Sequence, residues 1–306
     1  MIVVILVSMI IFLLVRLLPG DPLLLYVSGG DISKLSPEAV AAAREKFGLD
    51  QPIYAQYWEW VKGLFQGDLG ISLTYDRPVS TLLATRIPVT VNLGLVSFVL
   101  STVLGVLAGI ASAMKRGKWQ DNLITTLANI GICVPTFWLA IMLMYIFGYK
   151  LGWLPLTGYT SPFQSFWPGI RQMIMPVFCM MLFDLAFDAR QMRSSVLEVV
   201  HKDYIRTALA KGIPQPQVTR RHILKNAILP VVSIKGIAFA NIIGGSVFVE
   251  RIFGINGVGR LAADAVSNSD YAVIQAIVLL TSVTVVVANT LVDIIYGWLD
   301  PKIRQQ

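Results

Sequence analysis

Three stretches of this chain run for more than twenty residues without a charged side chain. They are Ile87–Met114, Asn122–Tyr149 and Tyr271–Val292. A helix that crosses the hydrocarbon core of a bilayer needs about 20 mostly apolar residues. Charged residues make up only 14 % of the whole chain, whereas soluble domains carry about a quarter. The sequence therefore predicts an all-α protein embedded in a membrane.

Three further apolar stretches are candidates for membrane spans, although each is short or interrupted by charge. With the three uncharged stretches they give a prediction of six transmembrane helices. The first of them is short for a span, so we expect a brief basic lead-in before Met1. The stretches are Met1–Val15 continued to Pro19, Gln172–Ala189 with Asp184 and Asp188 inside it, and Asn226–Val249 with Lys235 inside it.

The basic residues lie mostly in short loops, and their distribution predicts the orientation. Loop 115–121 holds three Lys or Arg residues, segment 190–225 holds eight and the C-terminal tail holds two. Loops 150–171 and 250–271 hold two each. Because cytoplasmic loops carry the excess of Lys and Arg, we predict that both termini are cytoplasmic and that 20–86 is external. This placement of the +7 net charge argues against nucleic acid as a partner.

The external stretch has the signals of two short helices. Ser36 can cap a helix Glu38–Phe47 that Gly48 closes, and a second helix fits Tyr54–Phe65 with several aromatic residues. The stretch is either a small cap packed on the outer ends of the spans or a docking surface for an external partner. Cys133 and Cys179 lie in apolar runs without metal-ligand spacing, so no metal site is predicted.

The connection between the fourth and fifth predicted spans has a pattern of its own. Asp203-Tyr-Ile-Arg-Thr-Ala-Leu-Ala-Lys-Gly212 predicts a short helix that ends at a glycine free to adopt a positive φ. Tyr204, Ala208 and Leu209 form a narrow apolar stripe on it. The small side chain of Ala208 would allow close approach to a groove on another protein. An amphipathic helix lying on anionic lipid explains the pattern equally well.

The same segment resembles a known coupling motif. Ala208-x3-Gly212, followed by Ile228-Leu229-Pro230, resembles the EAA motif of ABC importer permeases. The usual acidic-Ala pair is Arg206-Thr207 here, and 18 residues separate Gly212 from Pro230. Both departures resemble the dipeptide, oligopeptide and nickel branch, and the external insert resembles the first of its two permease subunits. Supporting stretches are Leu18–Pro22, Gly48–Pro52, Gly67–Ser72, Arg193–Glu198, Gly257–Arg260, Asp270-Tyr271 and Asp300-Pro301.

The resemblance implies a type I ABC importer permease fold. On it we divide the chain into a first transmembrane helix at 1–19, an external helical insert at 20–87 and a five-helix core at 88–300. The core contains a cytoplasmic coupling segment at 193–227. In the family the short helix of that segment inserts into a cleft of the ATP-binding subunit. The residues implied in ATPase coupling are Tyr204, Arg206, Thr207, Ala208, Leu209, Lys211, Gly212 and Pro230.

The resemblance also implies partners and a location. No GxxxxGK[ST] phosphate-binding loop occurs in the sequence, so ATP and Mg²⁺ are expected in partner subunits and no cofactor in this chain. The expected assembly contains this chain, a second homologous permease subunit, two cytoplasmic ATPases and an external solute-binding protein. It would lie in the bacterial cytoplasmic (inner) membrane. This chain is then expected to be a non-catalytic subunit.

Candidate pathway residues are the polar groups inside the predicted spans. Asp184 and Asp188 lie one helical turn apart, and ionisable groups at membrane depth usually face protein or water. Asp188 is expected to pair with Arg190 or Arg193. Asp184 is expected either to meet a cationic group of the cargo or to pair with Lys235. Asn241 is a third candidate, either as glue between helices or as a lining residue.

The sequence gives less direct information on the cargo than on the fold or on the coupling segment. Di- and oligopeptides are expected because they are the commonest cargo of the branch. A nickel or metal-chelate importer of the same family is the alternative, since Met173, Met175, Cys179, Met180 and Met181 offer soft sulfur ligands. A secondary transporter is an alternative of another class, but it would leave the cytoplasmic helix unexplained.

Overall fold

A computed structural model describes residues 2–17, 38, 40–41, 50–72, 74–240, 242 and 247–299 of the chain. Helices dominate this part of the chain, with one short two-stranded hairpin. In order, the elements are α1 (Ile2–Leu17), α2 (Ile53–Phe65), β1 (Ile71–Ser72), β2 (Arg77–Pro78), α3 (Val79–Met114), α4 (Trp119–Cys133), α5 (Thr136–Leu143), a π-helical continuation (Met144–Lys150), α6 (Phe166–Val200), α7 (Asp203–Ala210), α8 (Gln215–Val218), a second π-helical turn (Thr219–Ile223), α9 (Leu224–Ala227), α10 (Leu229–Ala240), α11 (Val247–Ile252), α12 (Val258–Ser267) and α13 (Tyr271–Leu299).

Three helices of the described residues are long and apolar enough to cross a membrane. They are α3, α6 and the part Tyr271–Leu291 of α13. The apolar helix α1 has 16 residues and α10 has 12, so both fall short of a full span within the described residues. The all-helical membrane class is therefore confirmed, while the predicted count of six spans is not.

The predicted third span at Asn122–Tyr149 is not one straight helix. It is divided into α4 and α5 with its π-helical continuation, and the two parts are bent by 101°. Val134, between them, is extended with ψ 120°. Pro135 explains the break, because a proline disfavours helical backbone at the residue before it and cannot donate to the preceding turn. Counted as one broken span, this pair raises the number of candidate crossings to four.

The predicted helix Tyr54–Phe65 is confirmed as α2. Tyr57 of α2 lies edge-on against Phe12 of α1 at 5.3 Å between ring centroids, and its hydroxyl lies 2.7 Å from Ser8 Oγ. This packing favours a cap fastened to α1, although Tyr54 and Trp58 remain exposed. The predicted helix Glu38–Phe47 falls mostly outside the described residues.

The chain forms two compact units. The first comprises Met1–Val91, Ile243–Val247 and Asn256–Val287, and the second comprises Asn92–Ile242, Phe248–Ile255 and Ala288–Gln306. In the first unit, the start of α3 packs against α12 and α13 through a buried apolar cluster.

A buried carboxylate fastens the hairpin of the first unit to α13. Asp270 accepts hydrogen bonds from Ser72 Oγ at 2.5 Å and from the backbone N–H of Thr74 at 3.1 Å. It also accepts from the N–H of Val273 in the first turn of α13 at 3.4 Å. Two stretches that carried the family resemblance, Gly67–Ser72 and Asp270-Tyr271, therefore meet at this carboxylate.

The second unit is built around α6. Small residues let neighbouring helices approach it closely: a Cβ added to Gly105 of α3 would lie 2.6 Å from Asp188 Cβ, and one added to Gly131 of α4 would lie 3.0 Å from Ala186 Cβ. Close approach through small residues is a common means of packing helices in membranes. The end of α6 leads directly into the coupling segment, which lies in the same unit.

Candidate functional site

The predicted short helix of the coupling segment is confirmed as α7. Its side chains divide into two sets. Ile205 and Ala208 are buried, at 2 % and 8 % exposed, whereas Tyr204 and Leu209 are each 46 % exposed. All four apolar side chains lie on one side of the helix. Ile205 and Ala208 occupy the middle of that side and pack against the rest of the chain. The flanking pair faces outward.

This division changes the role expected for Ala208. The sequence indicated that its small side chain lets a partner protein approach closely. In the structure Ala208 belongs to a buried cluster with residues of α6 and of the segment that follows, including Val196, Val199 and Val218. Its size therefore serves packing within this chain. Arg206, Thr207 and Lys211 are exposed beside Tyr204 and Leu209.

Gly212 ends α7 with the positive φ that the sequence predicted. Its φ is +77°. The Gly212 N–H donates to the carbonyl oxygen of Leu209 at 2.9 Å, and the Ile213 N–H donates to that of Ala208 at 3.3 Å. These are the two bonds of a Schellman motif, which satisfies the last carbonyls of a helix and reverses the chain sharply. Ile213 then packs against the same buried cluster as Ala208.

The rest of the coupling segment is also folded onto α6. Ile223, Ala227 and Val231 are buried in the cluster that contains Met192 of α6. Pro230 lies in the first turn of α10, where a proline costs no helical hydrogen bond, and its side chain is exposed. The segment is thus attached along its length to the helix that precedes it.

The C-terminal end of α6 carries two ion pairs of different exposure. Lys202 lies 2.9 Å from Glu198, and both side chains are at least half exposed. The Glu198 carboxylate holds the pKa of Lys202 above its ordinary value by hydrogen bonding and charge attraction. Arg193, by contrast, binds a buried carboxylate on another helix. Its Nε and Nη2 donate to the two oxygens of Asp121 at 2.8 and 2.9 Å.

Deeper in α6, Asp188 pairs with Lys235. The Lys235 ammonium lies 2.6 Å from Asp188 Oδ2, and the two side chains are 8 % and 2 % exposed. Lys235 also donates to Ser101 Oγ at 3.3 Å and lies over the ring of Phe98 at 5.3 Å from its centroid. The cluster joins α3, α6 and α10.

These contacts correct the predicted partner of Asp188. Asp188 was expected to pair with Arg190 or Arg193, but Arg193 binds Asp121 and Arg190 is exposed. Arg193 lies more than one helical turn nearer the end of α6, where α4 offers it a carboxylate. The contact expected between Asp184 and Lys235 is replaced by the shorter one from Asp188. Asp184 remains close enough to Lys235 for an electrostatic interaction.

An apolar cavity of about 330 Å³ lies beside this ion pair. Its walls include Phe98, Phe239 and Leu291, and Lys235 forms part of its lining. The third pathway candidate, Asn241, lies outside the described residues. The structure thus places Asp188, one of the two predicted acidic residues, against Lys235, and it places Lys235 at the wall of the cavity.

Asp121 is a site residue that the sequence does not single out. It is an acidic residue at the start of an apolar helix, next to the basic loop 115–118, which by itself indicates only favourable placement near a helix N-terminus. No spacing rule connects it with Arg193, 72 positions later. The stretch Arg193–Glu198 drew attention to the arginine, but nothing in the sequence indicated that Asp121 is its partner.

Comparison with known proteins places the chain in a family. The family model described as "Binding-protein-dependent transport system inner membrane component" matches residues 101–305. A model described as the N-terminal part of such membrane components matches residues 1–94. Together the two models account for nearly the whole chain.

Individual proteins agree with the family models. A protein of Brucella abortus (strain 2308), named as a peptide transport system permease, is 40 % identical over 302 residues, which is 99 % of this chain and 95 % of that protein. The glutathione transport system permease protein GsiC of Escherichia coli O6:H1 is 39 % identical over 298 residues, 97 % of this chain and 94 % of that protein.

A solved structure agrees at the level of the fold. A chain from the inward-facing MetNI methionine ABC transporter matches with a TM-score of 0.57 and 17 % identity, over 72 % of this chain and 96 % of that chain. The fold is therefore that of an ABC importer permease, as the resemblance implied. The secondary-transporter alternative loses its basis. This chain belongs to the family of binding-protein-dependent transport system inner membrane components, and it is a membrane-spanning permease subunit of an ABC importer.

Proposed function

We propose that this chain forms half of the pathway of a peptide importer and receives the cytoplasmic ATPase on the exposed face of α7. One observation carries the proposal: Ile205 and Ala208 fix α7 to its own chain, while Tyr204 and Leu209 face outward, each 46 % exposed. A short helix that is held rigidly by its central apolar residues and exposes further apolar side chains beside them suits insertion into a groove. A helix that only rested on lipid would not need its centre buried in protein.

The proposed assembly separates transport from ATP hydrolysis. The chain contains no phosphate-binding loop of the GxxxxGK[ST] type, so ATP and Mg²⁺ are bound by two partner ATPases and this subunit is non-catalytic. A second, homologous permease subunit supplies the other half of the pathway, and an external binding protein delivers the cargo. In this arrangement both termini and α7 lie in the cytoplasm of a bacterium, in agreement with the excess of Lys and Arg there.

The proposed cargo is a di- or oligopeptide. Relatives that cover nearly the whole of this chain are named for peptide and for glutathione transport, and glutathione is itself a small peptide. Nickel is not favoured by these relatives.

The proposed pathway lies near the Lys235–Asp188 pair. Fully charged groups are rare at membrane depth and usually face protein or a water-filled space. The cavity beside Lys235 and the nearby Asp184 give this part of the second unit both an apolar surface and charge. Peptides present both kinds of group, because their termini are ionic and their side chains are often apolar.

The docking face is tested by paired substitutions on α7. We expect Tyr204→Ala with Leu209→Ala to reduce co-purification of the ATPase subunits at least tenfold, because the two substitutions remove the exposed apolar contact. Phe163→Ala is the matched control, since Phe163 is 91 % exposed but lies in a predicted external loop. Undiminished co-purification of the doubly substituted chain would sink the proposed docking face.

The cargo is tested through the external binding protein. Direct titration of that protein with di- and tripeptides, glutathione and nickel chelates should show saturable binding of peptides and none of nickel chelates. Tight binding of a nickel chelate, with no binding of peptides, would overturn the proposed cargo without affecting the docking face.

A further inference from the structure

The carboxylate of Asp121 joins three elements of the second unit. It accepts two hydrogen bonds from Arg193 of α6, at 2.8 and 2.9 Å. It accepts another from Ser112 Oγ near the end of α3 at 2.5 Å, and one from the N–H of Gly117 in the following loop at 3.0 Å. Asp121 itself begins α4 and is 3 % exposed. Its two oxygens thus link α3, α4 and α6 at one point.

Arg193 lies on the part of α6 that carries the coupling segment. Met192 and Val196, on either side of it, belong to the buried cluster that holds Ile205 and Ala208 of α7. A displacement of α7 is therefore transmitted to the end of α6 through close-packed side chains, which have little room to deform. The Asp121–Arg193 contact is where that end of α6 meets α4.

Glycines of α3 and α4 also contact α6, at positions that precede Arg193 in the chain. A Cβ added to Gly109 of α3 would lie 2.7 Å from Met192 Cβ, and those added to Gly105 and Gly131 would lie 2.6 Å from Asp188 Cβ and 3.0 Å from Ala186 Cβ. No layer of large side chains separates the backbones at these points. The helices are thus held close along α6, and the Asp121 carboxylate closes the group at its cytoplasmic end.

We propose that Asp121 is a positioning residue that makes α3, α4 and α6 move as one body when the ATPase displaces α7. The proposal rests on the proposed role of α7 as the surface that receives the ATPase. Arg193 is 30 % exposed, so without the carboxylate its guanidinium can turn to water. The end of α6 then follows α7 without taking α4 with it, and ATP hydrolysis loses its effect on the pathway.

The proposal is tested in the complete importer reconstituted in liposomes, by measuring cargo taken up per ATP hydrolysed. Asp121→Asn keeps the size of the side chain and removes its charge, and Arg193→Gln removes the other partner. Each is expected to lower the uptake-to-hydrolysis ratio at least fivefold while ATP hydrolysis itself persists. The double variant Asp121→Asn with Arg193→Gln should lose no more than either single one, because groups that act as a pair give non-additive losses.

Glu198→Gln is the matched control, because it removes an exposed ion pair on the same helix and should leave the ratio unchanged. An unchanged ratio in Asp121→Asn, or additive losses in the double variant, would overturn the proposal.

Co-purification of the ATPases, measured on the same samples, separates this proposal from the one on which it rests. If the ATPases stay bound to Asp121→Asn but are released by the α7 substitutions, the proposed docking face is supported. This conclusion does not depend on the uptake-to-hydrolysis ratio. ATPases that stay bound to the α7 variants refute the docking face itself.

Discussion

At the scale of the residue, Gly212 sets the direction in which the chain leaves α7. Its φ is +77°. Residues other than glycine adopt such a backbone angle at a cost of about 1–3 kcal/mol. Nothing lies within 4 Å of an added Cβ, so the cost of a substitution is backbone strain and not a clash. The Schellman bonds of Gly212 and Ile213 depend on that φ.

Gly212→Val is therefore expected to leave the complex partly assembled and to uncouple ATP hydrolysis from uptake. A β-branched residue is strained at positive φ, so the exit from α7 should change. Gly212→Asn should stay close to the original protein, because asparagine adopts positive φ more readily. Uptake and ATP hydrolysis in liposomes measure both effects. Full coupled transport by Gly212→Val would contradict the proposed role of α7 in coupling.

The Lys235–Asp188 pair gives a second prediction at this scale. Lys235→Met leaves a carboxylate buried without its partner, which is expected to destabilise the protein by about 3–5 kcal/mol. The double variant Lys235→Met with Asp188→Leu should recover most of that loss, since it removes the stranded charge. Thermal unfolding in detergent gives the comparison. If Lys235→Met unfolds at the original temperature, the two groups do not pair in the folded protein.

At the scale of the element, Asp270 determines how α13 begins. It caps the helix through the Val273 N–H and binds the hairpin through Ser72 and Thr74. Asp270→Ala is expected to cost about 0.5–2 kcal/mol for the lost cap. The unpaired buried groups on the hairpin add about 1–3 kcal/mol.

Asp270→Asn is the control for this change, because its amide oxygen still accepts hydrogen bonds and should preserve part of the stability. The midpoint of thermal unfolding in detergent shows which of the two variants is the less stable. Equal loss in both variants would show that the charge matters and the cap does not. No loss of stability in Asp270→Ala would contradict the proposed contribution of Asp270 to the start of α13 and to the hairpin.

At the scale of the whole molecule, the proposed function assigns ATP binding and hydrolysis to partner subunits. The absence of a phosphate-binding loop from the sequence predicts that the purified chain neither binds nor hydrolyses ATP. Hydrolysis should appear when the ATPase subunits are added, and it should vanish when the phosphate-loop lysine of those subunits is replaced. Hydrolysis by the isolated chain at a rate similar to that of the complex would refute the division of labour.

Features that depend on local or compositional physics could be predicted from the sequence. Uncharged stretches of this length are stable only out of water, so the membrane class followed from them. The short helix α7 and the positive φ of Gly212 followed from neighbouring residues. The bend at Val134 was within reach too, because Pro135 marks it, but the lack of charge on both sides suggested one continuous span.

Which side chains contact one another became clear only from the packing of the helices. The sequence placed Arg193 and Lys235 among acidic residues without determining that one binds Asp121 and the other Asp188. It also could not tell that Ala208 faces its own chain while Tyr204 and Leu209 face outward. The physical reason is the same in each case: the partner of a side chain depends on how closely helices distant in the sequence approach one another. Here glycines such as Gly105 and Gly131 set that approach.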